Sequence, residues 1–179
     1  LIGDGHVGKN SLRFKDSRLG VLEIYKDFIS DIFNIEGKIT KVKDKNCYQL
    51  GVNSIHLVEL FKHLKEKVFY YISRSTKDHI RAFIRGFMDA EGYISKARPR
   101  ISIGQKDVLT LQYIQMLLHR LGIRSSLNDA SRNGKTFYYL LFDDRDVVRF
   151  AELIGVSASD KREYLDKWVE YVKSRGFNK

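Results

Sequence analysis

The stretch Ile84–Gly92, which reads IRGFMDAEG, combines a helical pattern with an acidic residue at its end. Apolar residues at 80, 83, 84, 87 and 88 recur at spacings of three and four, which predicts one buried face of a helix that begins after Thr76. Gly86 and Ala90 are four residues apart and share another face, where small side chains let a second helix come close. We therefore predict a helix that ends on the carboxylate of Glu91.

The same short pattern occurs a second time, 87 residues earlier in the chain. Gly3–Val7 (GDGHV) corresponds to Ala90–Ile94 (AEGYI), with an acid between a small residue and a glycine in each. Further along, Tyr48–Val52 corresponds to Tyr138–Phe142. Because the correspondence continues through the chain, it predicts two copies of one structural unit.

Each copy alternates between helical and strand periods. In the second copy, short strands near 94 and 101–103 precede a helix capped by Asp107, strands at 124–129 and 135–142 flank an Asn-Gly turn, and two helices follow. The first copy repeats this order after its acid. The order αββαββα predicts an α+β fold of two pseudo-symmetric units, residues 1–75 and 76–179. We expect each unit to be a four-stranded antiparallel sheet with helices on one face.

The composition of the chain indicates an anionic partner. Its 179 residues contain 32 Lys and Arg against 22 Asp and Glu, which gives a formal net charge of +10. A single cysteine excludes an intramolecular disulfide, and we find neither an apolar run of membrane-spanning length nor a secretory signal. We therefore expect an intracellular protein, cytoplasmic or organellar, that binds a polyanion and no membrane.

Two acids, Asp4 and Glu91, occupy the same place in the two copies. If the copies pack about a pseudo-twofold axis, these carboxylates meet near the axis and repel each other unless a cation lies between them. Mg²⁺ prefers such oxygen ligands, and the neighbouring Gly3 and Ala90 are included as candidate ligands. Beside a basic surface, this arrangement predicts phosphodiester hydrolysis with metal-activated water.

The nonapeptide Ile84–Gly92 resembles the signature motif of the LAGLIDADG homing endonucleases, and Leu1–Gly5 resembles the tail of a first motif with Ile2 in place of its first Asp. The repeated element order makes the chain similar to the single-chain, two-motif type. The resemblance implies an intron-encoded, monomeric, Mg²⁺-dependent enzyme, with Mn²⁺ as a substitute, that cuts double-stranded DNA held in a saddle of two sheets. The family also places a helix before the first acid, so we expect residues upstream of Leu1.

The resemblance further implies which residues act. It makes Asp4 and Glu91 the metal ligands, and it places a polar pair at the end of the second strand, which Gln105 and Lys106 match. The first copy has Lys15–Ser17 in that place and no glutamine. Two further lysines, early in the helices that follow the repeats, are candidates to lie near the central phosphates; they are Lys77 and Lys161.

Strand alternation predicts which side chains face DNA. Leu12 and Phe14 point to the helices, so Arg13 points away from them. The uncovered sheet faces are suited to base edges in the major groove, which admits a β-ribbon, and loop cations are suited to phosphates. The predicted base contacts are Arg13, Lys15, Gln49, Tyr93, Ser95, Arg100, Ser102, Ser126, Asn128 and Tyr139. The predicted phosphate contacts are Lys9, Lys43, Arg98, Arg132 and Lys135.

Other functions fit part of this pattern. A protein of the same fold could regulate transcription without cutting DNA, or could splice intron RNA as a maturase that also keeps both acids. A basic, RNA-associated α+β protein of the ribosomal kind would need neither acid. The copies differ on their reading faces, with Arg13 in one where Ser102 stands in the other, so we predict a non-palindromic target.

Overall fold

The computed structural model describes residues 5–43, 45–132, 134–142 and 144–176, with the backbone alone at Arg132 and Lys135. The chain divides into two compact units, Leu1–Val68 and Phe69–Lys179. Each unit contains one four-stranded sheet. No helix in the described part of the chain is both long and apolar enough to cross a lipid bilayer.

The first unit is an antiparallel sheet with its strands in the order β1-β2-β4-β3. Its elements are β1 (His6–Val7), β2 (Ser11–Asp16), α1 (Leu19–Phe33), β3 (Lys38–Lys41), β4 (Tyr48–Asn53) and α2 (Ile55–Ser73), which continues into the second unit. The chain leaves α1 through Asn34 in the left-handed conformation (φ 52°), where its N–H donates to the Ser30 carbonyl. The core of the unit consists of Leu12, Leu22, Ile29, Leu50, Val52, Leu57 and Val58.

The second unit has the corresponding strand order, β5-β6-β8-β7. Its elements are α3 (Lys77–Glu91), β5 (Gly92–Ile94), β6 (Ile101–Gln105), α4 (Val108–Arg120), β7 (Ser125–Arg132), β8 (Lys135–Phe142), α5 (Asp144–Leu153) and α6 (Ser159–Ser174). Strand β7 runs three residues beyond the predicted end at 129, because its ladder with β8 continues to the pair Arg132–Lys135 beside the turn. Gly134 occupies that turn with φ 69°, which glycine adopts at little cost.

The two sheets have the same register at corresponding positions, which confirms the two-copy α+β fold. Arg13 pairs with His6 on one side and Gly51 on the other. In the second sheet, Ser102 corresponds to Arg13 and pairs with Tyr93 and Leu141. In each unit, α1 or α4 packs on the face that carries the buried strand residues.

Helix α3, which contains the IRGFMDAEG stretch, begins where the sequence predicted. The Thr76 hydroxyl accepts a hydrogen bond from the His79 N–H at 3.4 Å, and Asp78 lies in the first turn, where a negative charge is favourable. The buried residues of this helix are Ile80, Ile84, Phe87 and Met88. Burial of this single face fixes the rotation of the helix about its axis and therefore the direction in which its last turn points.

Candidate functional site

The last turn of α3 places the carboxylate of Glu91 at the junction with strand β5. Glu91 is the final helical residue and is partly exposed. Gly92 follows in extended conformation (φ −81°, ψ 151°), and its N–H donates to the Met88 carbonyl. A Cβ at position 92 would collide with the sulfur and the carbonyl oxygen of Met88. Glycine is therefore needed for the strand to leave the helix directly after the acid.

Helix α6 holds the last turn of α3 through one lysine and one aspartate. Lys161 Nζ donates to the carbonyl oxygens of Met88 (2.9 Å) and Asp89 (2.7 Å). The Asp89 carboxylate accepts hydrogen bonds from the N–H groups of Ser157 (2.9 Å) and Ala158 (3.2 Å), which lead into α6. The N-cap residue of α6, Ala158, makes no side-chain hydrogen bond at that end. We call this arrangement, made by Asp89, Lys161 and their backbone partners, the reciprocal cap.

The reciprocal cap is electrostatically favourable at both helix ends. A helix carries partial negative charge at its C-terminus and partial positive charge at its N-terminus. The ammonium of Lys161 bonds to the C-terminal carbonyls of α3, and the Asp89 carboxylate accepts from the N–H groups of Ser157 and Ala158, directly before the positive N-terminus of α6. A further hydrogen bond joins α3 to the segment between α5 and α6, from Arg85 Nε to the Ile154 carbonyl at 2.6 Å. The C-terminal part of α3 is therefore held by hydrogen bonds to residues 154–161.

The oxygen donors at this helix end fit a divalent cation. Glu91 supplies a carboxylate, and the exposed Ala90 supplies a main-chain carbonyl, both of the type that Mg²⁺ prefers. The predicted ligands Asp4 and Gly3 lie outside the described residues. Across the described ranges, no group of three His, Cys, Asp or Glu side chains is close enough to hold a metal ion.

The polar pair Gln105–Lys106 lies at the end of the sheet where β5 begins, directly after Glu91. Gly92 pairs with Ile103, so the antiparallel register carries Gln105 past the start of β5. Gln105 is partly exposed and Lys106 is exposed. Their roles in catalysis stay a prediction.

The pair is followed at once by Asp107, the N-cap of α4. Its carboxylate accepts hydrogen bonds from the Thr110 hydroxyl (2.7 Å) and the Leu109 N–H (3.1 Å). The bond from the Thr110 hydroxyl is the main reason that the pKa of Asp107 lies below its ordinary value. Asp107 thereby fixes the point at which the chain turns from Lys106 into α4.

Asp16 of the first unit occupies the place of Gln105. The side-chain hydrogen bonds from Arg18, at 3.0 and 2.9 Å, hold the pKa of the Asp16 carboxyl below its usual range. The Asp16 carboxylate therefore forms an ion pair with Arg18. The unit has no glutamine equivalent at this position, as the sequence indicated.

The two further lysine candidates, Lys77 and Lys161, lie at different distances from Glu91. Lys161 contacts the carbonyls that immediately precede Ala90 and Glu91. Lys77 is the first residue of the 15-residue helix α3, so about 21 Å of helix separates it from Glu91 at the other end. Lys77 therefore lies at the opposite end of α3 from Glu91, and its predicted place near the central phosphates stays a prediction.

Most of the predicted DNA-contacting residues lie on the sheet face away from the helices or in exposed loops. Leu12 is fully buried between the exposed Arg13 and the partly exposed Ser11, so the predicted alternation holds in the first sheet. The exposed or partly exposed predicted residues are Lys9, Arg13, Lys15, Lys43, Gln49, Tyr93, Arg98, Arg100, Ser102, Ser126, Asn128 and Tyr139. Lys38 and Thr40 share the first face but were missed, because their strand's pairing with β4 cannot be read from the sequence.

Ser95 is a correction to the predicted DNA-contacting surface. Its side chain is only 7% exposed, and β5 ends at Ile94, so the strand alternation does not extend to it. The Ser95 hydroxyl accepts a hydrogen bond from the Ala97 N–H (3.3 Å), and its carbonyl accepts one from Trp168 Nε1 (2.6 Å). The chain turns inward here, and the Ser95 N–H donates to the carbonyl of Arg100. Ser95 is thus an internal turn residue.

Comparison with known proteins identifies the same motif region. A family model described as a LAGLIDADG-like domain matches residues 78–155. The chain is 31% identical over 168 residues to homing endonuclease I-DmoI from Desulfurococcus mucosus, covering 86% of this chain and 82% of that protein. It is 34% identical over 191 residues to a glutamine–fructose-6-phosphate aminotransferase from Methanocaldococcus jannaschii, covering 99% of this chain but 17% of the relative.

A DNA polymerase of Methanocaldococcus jannaschii is 24% identical to this chain over 189 residues, which are 94% of the chain and 12% of the polymerase. The chain therefore spans less than a fifth of the polymerase and of the aminotransferase.

Solved structures show the same fold. The crystal structure of I-DmoI in complex with DNA and Mn matches with a TM-score of 0.66 and 26% identity, over 83% of this chain and 81% of that one. Full-length DUF199/WhiA from Thermatoga maritima matches with a TM-score of 0.64 over 97% of this chain and 56% of its own. At 13% identity, the second match concerns the fold alone.

Proposed function

We propose, from the premise that this chain belongs to the LAGLIDADG homing endonuclease family, that it is a site-specific endonuclease that cuts double-stranded DNA by metal-assisted hydrolysis. The observation that carries the proposal is the Glu91 carboxylate at the end of the motif helix, held there by the reciprocal cap and Gly92. The likeness to I-DmoI, whose structures include DNA and Mn, Mg or Ca, supports both the substrate and the use of a divalent cation.

In this mechanism, the Glu91 carboxylate and the Ala90 carbonyl would hold a divalent cation, Mg²⁺ or Mn²⁺, and Asp4 and Gly3 are the further ligands predicted from the sequence. The cation, when bound, activates water for attack on the scissile phosphate and stabilises the leaving oxygen. Gln105 orients solvent at the sheet end beside Glu91, and the positive charge of Lys106 reduces the repulsion between a DNA phosphate and the Glu91 carboxylate.

The exposed faces of the two sheets provide the binding energy and the sequence preference. Side chains on strands contact base edges, while loop cations such as Lys9, Lys43 and Arg98 contact phosphates. Both copies lie on one chain, so a monomer carries two reading faces. Because there are two reading faces, the target is long. Because the faces differ at corresponding positions, the target is non-palindromic.

The test uses a plasmid library incubated with the chain and Mg²⁺. The wild type is expected to cut at one rare site. Glu91→Gln keeps the shape of the side chain but removes its charge, so cleavage should fall by at least 100-fold, by our order-of-magnitude estimate, while DNA affinity stays within about tenfold. Glu152→Gln is the matched control, because Glu152 forms an exposed ion pair with Lys173 on the α5–α6 surface.

The possible results separate the proposal from its rivals. Cutting by Glu91→Gln at the wild-type rate would remove Glu91 from the active site. Specific DNA binding by the wild type without cleavage in Mg²⁺ or Mn²⁺ would instead support a non-cleaving regulator. Preferential binding of structured intron RNA would support a maturase.

A further inference from the structure

The sheet registers allow the two reading faces to be compared position by position. Arg13, between His6 and Gly51, corresponds to Ser102, which lies between Tyr93 and Leu141. The same ladders relate the remaining positions. The first face consists of His6, Arg13, Lys15, Lys38, Thr40, Gln49 and Gly51. The second face consists of Tyr93, Ser102, Gly104, Ser126, Asn128, Tyr139 and Leu141.

The first face is cationic. Arg13, Lys15 and Lys38 are exposed, and each can only donate hydrogen bonds. In the major groove, guanine presents two acceptors, O6 and N7, and arginine or lysine is the usual partner for them. The seven positions of this face include no acidic side chain that would neutralise these donors.

None of the seven positions of the second face is charged; the partly exposed Arg100, which was predicted above as a base contact, precedes β6 and lies outside these seven positions. Tyr93 is 56% exposed, and Tyr139 and Leu141 are partly exposed at alternate positions of β8. Phe137, two residues before Tyr139 on the same face of the strand, is 38% exposed and extends this apolar row. Exposed apolar side chains also occur elsewhere on the chain, as at Ile24 and Phe28 of α1, but this row lies on the face that the proposed function turns toward DNA.

The DNA major groove presents one apolar group, the C5 methyl of thymine. A leucine or aromatic ring against that methyl gains free energy from burial, whereas the same ring against guanine O6 or N7 leaves an acceptor without a donor. The hydroxyl and amide groups between the apolar residues, on Ser102, Ser126 and Asn128, can hydrogen-bond to the adenine of the opposite strand.

We propose that the two faces read half-sites of different composition, the first guanine-rich and the second thymine-rich. Arg13, Lys15 and Lys38 specify the first half-site, and Leu141, Tyr139 and Tyr93 specify the second. This inference rests on the proposed function in requiring double-stranded DNA as the ligand, but it does not require cleavage.

The experiment begins with the wild-type chain and random duplexes in EDTA, so that binding is selected without cutting. Within the selected site, each thymine is then replaced by deoxyuridine, which removes only the methyl group. Each guanine is replaced by 7-deazaguanine, which removes the N7 acceptor. Affinities of wild type, Leu141→Ala and Arg13→Ala are measured for every modified duplex, with Thr136→Ala as a control on the opposite face of β8.

We expect deoxyuridine to weaken wild-type binding about fourfold at the thymine that faces Leu141, from the transfer free energy of one methyl group. In Leu141→Ala the same replacement should have little effect, because the contact is already gone. Replacement of guanine should weaken binding about fivefold or more at the base that faces Arg13, and Arg13→Ala should remove that effect. Thr136→Ala should behave as the wild type on every duplex.

The results distinguish failure of this inference from failure of the proposed function. If no duplex is enriched, the chain does not read DNA sequence, and both are overturned. If a site is enriched but deoxyuridine has no effect that depends on Leu141, the thymine assignment alone is overturned. If Arg13→Ala weakens all duplexes equally and 7-deazaguanine has no effect, Arg13 contacts phosphate, and the guanine assignment is overturned.

Discussion

Replacement of Lys161 by methionine tests whether α6 holds the end of α3 that carries Glu91. Lys161 is partly buried and donates two hydrogen bonds, at 2.9 and 2.7 Å, to the carbonyls of Met88 and Asp89. Each hydrogen bond from a charged donor contributes about 1.5 kcal/mol net, at the lower end of its range. Methionine keeps much of the aliphatic chain but donates neither bond, so Lys161→Met should lower the free energy of unfolding by about 2 to 3 kcal/mol.

The assay is urea unfolding followed by tryptophan fluorescence. Trp168 is the single tryptophan of the chain, is only 6% exposed and lies on α6, seven residues after Lys161. Its emission therefore reports the helix that carries the mutation. With a urea dependence of about 2 kcal/mol per molar, the unfolding midpoint should fall by about 1 M.

Lys173→Met is the matched control on the same helix. Lys173 forms an ion pair with Glu152 at 2.9 Å, but both side chains are about half exposed, so its loss should cost between about 0 and 1 kcal/mol. Equal midpoint shifts for Lys161→Met and Lys173→Met would refute the reciprocal cap as a stabilising element.

The same variant also probes the activity. A loosened last turn displaces Glu91 but leaves the sheet faces unchanged, so the single-turnover cleavage rate should fall while DNA affinity stays within a few-fold. Lys161→Arg should restore part of the rate, because arginine can also donate to both carbonyls. A loss of affinity as large as the loss of rate would instead place Lys161 among the DNA contacts.

Three further outcomes follow from the geometry. Gly92→Ala should destabilise the second unit by about 1 to 3 kcal/mol in urea unfolding, because its Cβ collides with Met88, whereas the more open Gly104→Ala should be tolerated. Arg18→Ala should raise the pKa of Asp16 toward its ordinary value of 3.8 in an NMR titration. Because the folded pKa of Asp16 is lowered, its pairing with Arg18 stabilises the first unit above about pH 4 and is lost as the pH falls through that pKa; an unchanged titration would contradict this. DNA affinity measured against salt should fall with a log–log slope of about −0.9 per phosphate contact, and a flat response would exclude an electrostatic interface.

The sequence by itself determined the order and the approximate bounds of the elements. Periods of two and of three to four residues come from one buried face per element, and these are local properties that a single sequence displays. Capping residues such as Thr76 and Asp107 mark helix starts through bonds to groups two or three residues away. The place of Glu91 at a helix end is also a local property, because the helical spacing of the apolar residues stops just before Glu91 and Gly92.

The tertiary structure decided which residues distant in sequence hold that acid in place. Asp89 bonds to Ser157 and Ala158, and Lys161 returns to α3, across separations of 68 to 73 residues. No periodicity encodes such contacts, because they depend on how two complete helices pack. The burial of Ser95 is decided in the same way, since it follows from a turn and from Trp168 on another helix.

The chemical difference between the two reading faces required both kinds of information. Alternation in the sequence assigned Arg13 and Ser102 to exposed faces. The pairing of β3 with β4 and of β8 with β7 then placed Lys38 on one face and Leu141 on the other. A shift in register by one residue would move each side chain to the opposite face of its sheet, so the face composition exists only once the strands have paired.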